Sequence, residues 1–123
     1  MVDANAPSLN ILLISGEPER ALVALNLAGA ALALGRPASL FLTGQALARF
    51  AAGDEGEAKL PAGQPAIGES LAALRAQGLR LYACSATVQM LGLDATALAR
   101  RADGIAGAAS FLAEAATGQL LSL

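Results

Sequence analysis

Apolar positions fall along this chain in short blocks that alternate between the period of a strand and that of a helix. Leu9 to Ser15 (LNILLIS) is a nearly continuous apolar run, the pattern of a strand covered on both faces. Gly16-Glu17-Pro18-Glu19 follows, with proline in a first turn and acids at the positive end of a helix dipole, so a helix is predicted to about Leu34. Its apolar residues form two stripes, Leu22, Leu25, Gly29 and Leu32 on one and Val23, Leu27 and Ala30 on the other. A helix apolar on more than one side is either deeply buried or packed against a neighbouring chain. Gly35 closes it and Arg36-Pro37 leads out.

The alternation then continues to the last residue. Ala38 to Thr43 (ASLFLT) reads as a second strand that turns at Gly44 into a short helix ending near Phe50. Ala52 to Gly68 gathers Gly, Pro and charge, and is expected to be a loop. Glu69 to Gln77 resumes as helix with Gly78 at its end, and Leu79 to Ala83 is a third strand with Cys84 at its close. Ser85 is expected to cap a helix through Leu91, and Asp94 another that ends near the basic Arg101. Gly104 to Gly107 is a short fourth strand, Ala108 to Thr117 a helix and Gln119 to Leu123 a last strand. Such alternation predicts one α/β domain over residues 1–123, a mainly parallel five-stranded sheet with helices on both faces and right-handed crossovers. Functional groups in that architecture gather beyond the carboxyl ends of the strands, here Ser15-Gly16, Thr43-Gly44 and Cys84-Ser85.

Composition narrows the chemistry. Of 123 residues, 55% are hydrophobic but only 3% aromatic, so the core must be built from Leu, Ala and Val, with Ala and Gly allowing close backbone contact. Only 15% are charged, and so apolar a small chain is expected to bury surface against further subunits. A net charge of -2, with eight Lys and Arg scattered among acids, argues against nucleic acid as a partner. Ala21 to Gly35, the longest apolar run, is bracketed by Arg20 and Arg36 and falls short of the roughly 20 residues a membrane span needs. Asp3 precedes the first apolar run and no basic residue comes before Arg20, unlike a signal peptide. A lone cysteine forms no internal disulfide, and a cytoplasmic setting is expected.

There is no histidine, which removes Ser-His-Asp and Cys-His catalysis and the common zinc sites. No cofactor or metal is called for. What remains is Cys84. With a helix starting at Ser85, unpaired backbone N–H groups point at the sulfur and favour thiolate, a placement that can bring a cysteine pKa from about 8.5 to roughly 3.5–7.5. A thiolate attacks a sulfur donor, a disulfide or a peroxide, and Ser85 and Thr87 offer hydroxyl donors beside it. Against this stands the plainer reading of free cysteine as a small buried hydrophobe. Ser15 and Thr43 line the same expected cleft, although turn and cap duties also explain them. Glu17 faces the same choice between a ligand contact and the helix dipole.

The pieces in their order carry a resemblance. Leu13-Ile14-Ser15 leads into Glu17-Pro18-Glu19-Arg20-Ala21 and an Ala-rich helix closing at Gly35. Leu40-Phe41-Leu42-Thr43-Gly44 forms a second strand and turn, and Gly78-Leu79-Arg80-Leu81-Tyr82-Ala83-Cys84 is followed by Gly92-Leu93. Over nearly its whole length the chain resembles the DsrE/DsrF-like family, small α/β proteins of bacterial and archaeal sulfur metabolism. The resemblance implies a three-layer α/β/α fold with a five-stranded parallel sheet, assembled as trimers or hexamers. It also implies that Cys84 stands where active members carry sulfur as a persulfide and pass it on, so that sulfur donor and acceptor proteins are the expected partners. Two other readings stay open, a non-catalytic binding or assembly module with a structural cysteine, and a thiol-based redox sensor. For the sensor no second cysteine is present to resolve a sulfenate.

Overall fold

The computed structural model describes residues 5–53 and 67–123. Five strands, β1 (Leu9–Leu13), β2 (Ala38–Leu42), β3 (Arg80–Cys84), β4 (Gly104–Ala106) and β5 (Gln119–Ser122), form one sheet in the order β4-β3-β2-β1-β5. Every neighbouring pair is parallel. Six helices lie among the described residues: α1 (Pro18–Ala33), α2 (Gly44–Ala52), α3 (Ile67–Ala76), α4 (Ser85–Leu91), α5 (Ala95–Arg101) and α6 (Ala108–Ala115). The expected three-layer α/β/α arrangement is present.

The strand order explains the layers. From β1 to β4 each crossover steps the same way across the sheet, and the return to β5 jumps to the opposite edge. Parallel crossovers keep one hand, so the outward steps lay their helices on one face and the return lays α6 on the other. Side chains of β2 show the split. Leu40 and Leu42 face a space shared with Leu25 of α1 and Leu71 of α3, while Phe41 between them stacks on Phe111 of α6, ring centroids 4.6 Å apart. All five residues of β2 are buried, which is why this strand reads as a nearly continuous apolar run, broken only by Ser39, rather than an alternation.

Helix α1 shows how an aromatic-poor chain fills its core. Ala24, Ala28 and Ala31 are buried with Leu25 and Leu32, and these small side chains let the helix lie close to the sheet. Gly29 on the same helix sits close to Leu74 of α3. The second expected stripe is different: Val23 and Leu27 are exposed at 43% and 38% in the single chain.

Many strand and helix ends differ from expectation by one or two residues, and three boundaries bear on the loop and the site. α3 begins at Ile67, so Ile67 and Gly68 belong to a helix rather than to the loop expected over Ala52 to Gly68. At the other end of that stretch, Ala52 closes α2 and Gly53 caps it in a left-handed conformation; residues 54–66 of the expected loop lie outside the described residues. The third is at Cys84, which is itself the N-cap of α4, with Ser85 the first helical residue. The helix therefore starts one residue after the sulfur, with no turn between strand and helix. Asp94 does cap α5, accepting from the backbone N–H groups of Thr96 at 3.0 Å and Ala97 at 3.1 Å.

Candidate functional site

Sheet register assembles the site. β2 pairs with β3 so that Leu42 lies beside Ala83, and one step further along both strands brings Thr43 abreast of Cys84. β1 pairs with β2 so that Leu13 lies beside Leu42, which brings Ile14 to the flank of Thr43. At Gly44 the chain turns sharply into α2 with φ +52°, a left-handed conformation natural to glycine. A Cβ there would meet Ile14 Cγ2 at 3.4 Å. The turn aims the Gly44 N–H at the first turn of α4, where Thr87 Oγ1 accepts it at 3.2 Å. Thr87 Oγ1 also lies 2.9 Å from Thr43 Oγ1. The ends of β2 and β3 and the start of α4 are thus joined through two hydroxyls and an amide.

Cys84 lies among these groups, 8% exposed, with Thr87 at 7%. Burial pushes the thiol ionisation up. The backbone N–H of Thr87, the hydroxyls of Thr43 and Thr87 and the N–H of Ala86 outweigh that, and hold the thiol below its ordinary value. Ala86 and Thr87 occupy the second and third positions of α4, whose amides have no partner within the helix. The side chain of Cys84 forms no capping bond in the resting geometry; what the neighbouring donors favour is the anion.

The expected site residues divide. Thr43, Gly44 and Thr87 come together with Cys84. Ser85 follows the sulfur directly but stands by the turn into α6, where a Cβ on Gly107 would meet its Oγ at 3.6 Å. Ser15 accepts from the Glu17 N–H at 3.1 Å, a local turn. Ser15 and Gly16 border a largely apolar cavity between the sheet and α1, α2 and α3, lined by Leu13, Leu42, Phe50 and Leu71 but not by Cys84. Gly16 O there accepts from Arg49 Nη1 at 2.8 Å. Glu17 precedes α1 as its N-cap without a side-chain cap bond. The expected common cleft is therefore two places, one apolar beside β1 and one polar around Cys84.

Sequence reading missed two things. One is the pairing of Thr43 with Thr87, whose only signal is that both flank strand ends. The other is a buried polar cluster at the amino end of the sheet, where Asn10 is 1% and Ser39 3% exposed. Its signal was visible, since one polar residue interrupts each of the first two apolar runs, LNILLIS and ASLFLT.

A parallel sheet in this order with a buried cysteine at the end of an inner strand defines a small α/β thiol protein. The family model of the DsrE/DsrF-like family matches residues 10–119, nearly the whole chain, and the protein belongs to that family. The solved structure of a protein of unknown function from Methanobacterium thermoautotrophicum superposes with a TM-score of 0.72 at 12% identity, covering 96% of this chain and 100% of the other. At that identity the likeness shows the fold alone. Among curated proteins none matches the chain.

Proposed function

We propose that this protein is a sulfur carrier in which Cys84 holds sulfane sulfur as a persulfide. One observation carries the reading: the single cysteine sits against the first-turn amides of α4 and the linked hydroxyls of Thr43 and Thr87, which favour its thiolate despite burial, at the carboxyl end of a parallel strand, where this class of sheet places its chemistry. Membership of a family associated with sulfur relay gives the thiolate a matching task.

The exchange balances without a cofactor. The Cys84 thiolate attacks the outer sulfur of a donor persulfide R–S–SH. A new S–S bond forms on Cys84, the donor S–S bond breaks, and R–S⁻ leaves with the electron pair. An acceptor thiolate then attacks the outer sulfur of the Cys84 persulfide, and Cys84 departs as the thiolate that the site already favours. The donors around the sulfur thus serve both as activators of the nucleophile and as stabilisers of the leaving group. Donor and acceptor are expected to be protein thiols. The carrier itself is expected to be a homo-oligomer, trimer or hexamer, with exposed Val23 and Leu27 on α1 as candidate contact residues. Light scattering at micromolar concentration tests that assembly, and a monomer would contradict it.

Intact-protein mass spectrometry after incubation with polysulfide tests the carrier. The wild type should gain sulfur that reductant removes, and Cys84→Ser should gain none while keeping its fold. Equal gain in both proteins would remove Cys84 from the reaction. A non-catalytic module with a structural cysteine is favoured by one observation, the 8% exposure of Cys84. That reading expects a thiol inert to alkylation in the folded wild type.

A further inference from the structure

The two threonine hydroxyls offer more than a pair of donors, because they hold only one hydrogen each. Thr43 Oγ1 and Thr87 Oγ1 are 2.9 Å apart, and either can be the donor of that bond. Thr87 Oγ1 also accepts from the Gly44 N–H. If Thr43 donates, Thr87 accepts twice and its own hydrogen is free for the sulfur. If Thr87 donates, the hydrogen of Thr43 is free instead. In both arrangements one hydrogen closes the link between the oxygens and one is left over, and in both the Gly44 bond survives. The β2–β3 register sets Thr43 beside Cys84, and Thr87 lies in the first turn of the helix that Cys84 caps, so the linked hydroxyls stand by the sulfur and only one of them has a hydrogen to offer it at a time.

We propose that Thr43 and Thr87 act as one reversible donor to Cys84, positioning residues that keep a single hydrogen on the sulfur whichever way the pair points. Reversal needs only rotation of two hydroxyls. Resting on the persulfide reading, the pair also has a use beyond ionisation. Loading moves the charge from Sγ to an outer sulfur about 2 Å away, and a reversed pair can move its donor from one oxygen to the other without losing a hydrogen bond. The chain from the Gly44 amide through the two hydroxyls strengthens the last donor by polarisation.

This makes a prediction that two independent donors would not. Removing either hydroxyl frees the other to serve the sulfur, so each single loss is mild and only the double loss is severe. The pH midpoint of thiolate ultraviolet absorbance, and the rate of alkylation by iodoacetamide at a fixed pH below it, are to be measured for the wild type, Thr43→Val, Thr87→Val and the double variant. Each single variant should alkylate within about threefold of wild type, whereas the double should be slower by about tenfold or more, the worth of a hydrogen bond to a charged group. Its midpoint should rise by more than the two single changes combined. The double serine variant, which keeps both hydroxyls, should behave as wild type, and the double alanine variant serves if the valines prevent folding. A single variant as slow as the double, or a double variant no slower than wild type, would overturn the proposal. None of these measurements uses a sulfur donor. A failure of sulfur loading with this pattern intact would therefore remove the persulfide reading and leave the donor pair standing.

Discussion

The two ends of the sheet each carry a polar cluster, and they are built differently. At the amino end Asn10 and Ser39 are register partners on β1 and β2. Ser39 Oγ donates to Asn10 Oδ1 at 2.7 Å, and Asn10 Nδ2 donates to Ser8 Oγ at 2.8 Å and Gln119 O at 3.3 Å. Arg36 donates to Pro7 O at 2.7 Å and to the side-chain oxygen of Gln119. Every group there has a fixed partner, and the bonds tie the entry of β1 to the start of β5. At the carboxyl end the hydroxyls of Thr43 and Thr87 share one bond in either direction around a titratable sulfur. Satisfied buried networks specify one structure, whereas a cluster with an ionisable member and an undecided proton can change state. The first end holds the sheet together; the second can change its protonation state.

Substitutions can separate the two ends. The largest effect expected is functional: Cys84→Ser should lose all sulfur loading with little change in thermal midpoint, and a large loss of stability would mark Cys84 as core. Next comes Gly118→Ala, because a Cβ there would overlap Ser8 Oγ and Ser8 O, where Ser8 O accepts from the Gln119 N–H at 2.8 Å. Overpacking against backbone should cost about 3 kcal/mol in denaturant unfolding, and sulfur loading by the folded fraction should be unchanged. Asn10→Ala should cost about 2 kcal/mol by leaving the Ser39 hydroxyl without its acceptor. Replacing Asn10 by Leu and Ser39 by Ala together should recover only part of that, since the Ser39 hydroxyl is then removed with its acceptor while Ser8 Oγ and Gln119 O still lose the Asn10 donor.

The smallest effect expected is on pH. The folded thiol ionises below its ordinary value of 9.0, so the folded state releases its proton before the unfolded state does. The resulting stabilisation is full above pH 9 and fades as pH falls through the folded value. Wild type minus Cys84→Ser stability, measured by denaturant unfolding across that window, should therefore rise with pH. A flat difference would mean that the donors do not favour the anion in solution.

Much of this fold was legible because its elements are locally encoded. Nearly continuous apolar runs such as ASLFLT announce strands buried on both faces, and Pro18 and Asp94 mark helix starts. Cys84, Thr43 and Thr87 were also visible as residues flanking strand ends. Legibility failed where a residue's role depends on a partner far along the chain. Ser15 and Glu17 carry the same local signals as Thr43, yet their contact is with each other. Ser85 has the composition of an N-cap, and still the cap position falls to Cys84 because strand passes directly into helix.

Alone, the sequence determined the alternation of strand and helix, the absence of histidine chemistry and the placing of one thiol at a strand end. These follow from hydrophobic period, turn residues and composition, all of which are local. Tertiary structure decided the rest: that β2 and β3 are neighbours in a register that sets Thr43 beside Cys84, and that Thr43 meets a hydroxyl 44 residues away. It also decided that Asn10 and Ser39 pair across strands rather than face water. Strand order and register are fixed by how helices cover the two faces of the sheet, an energy summed over the whole core, and no single segment carries it.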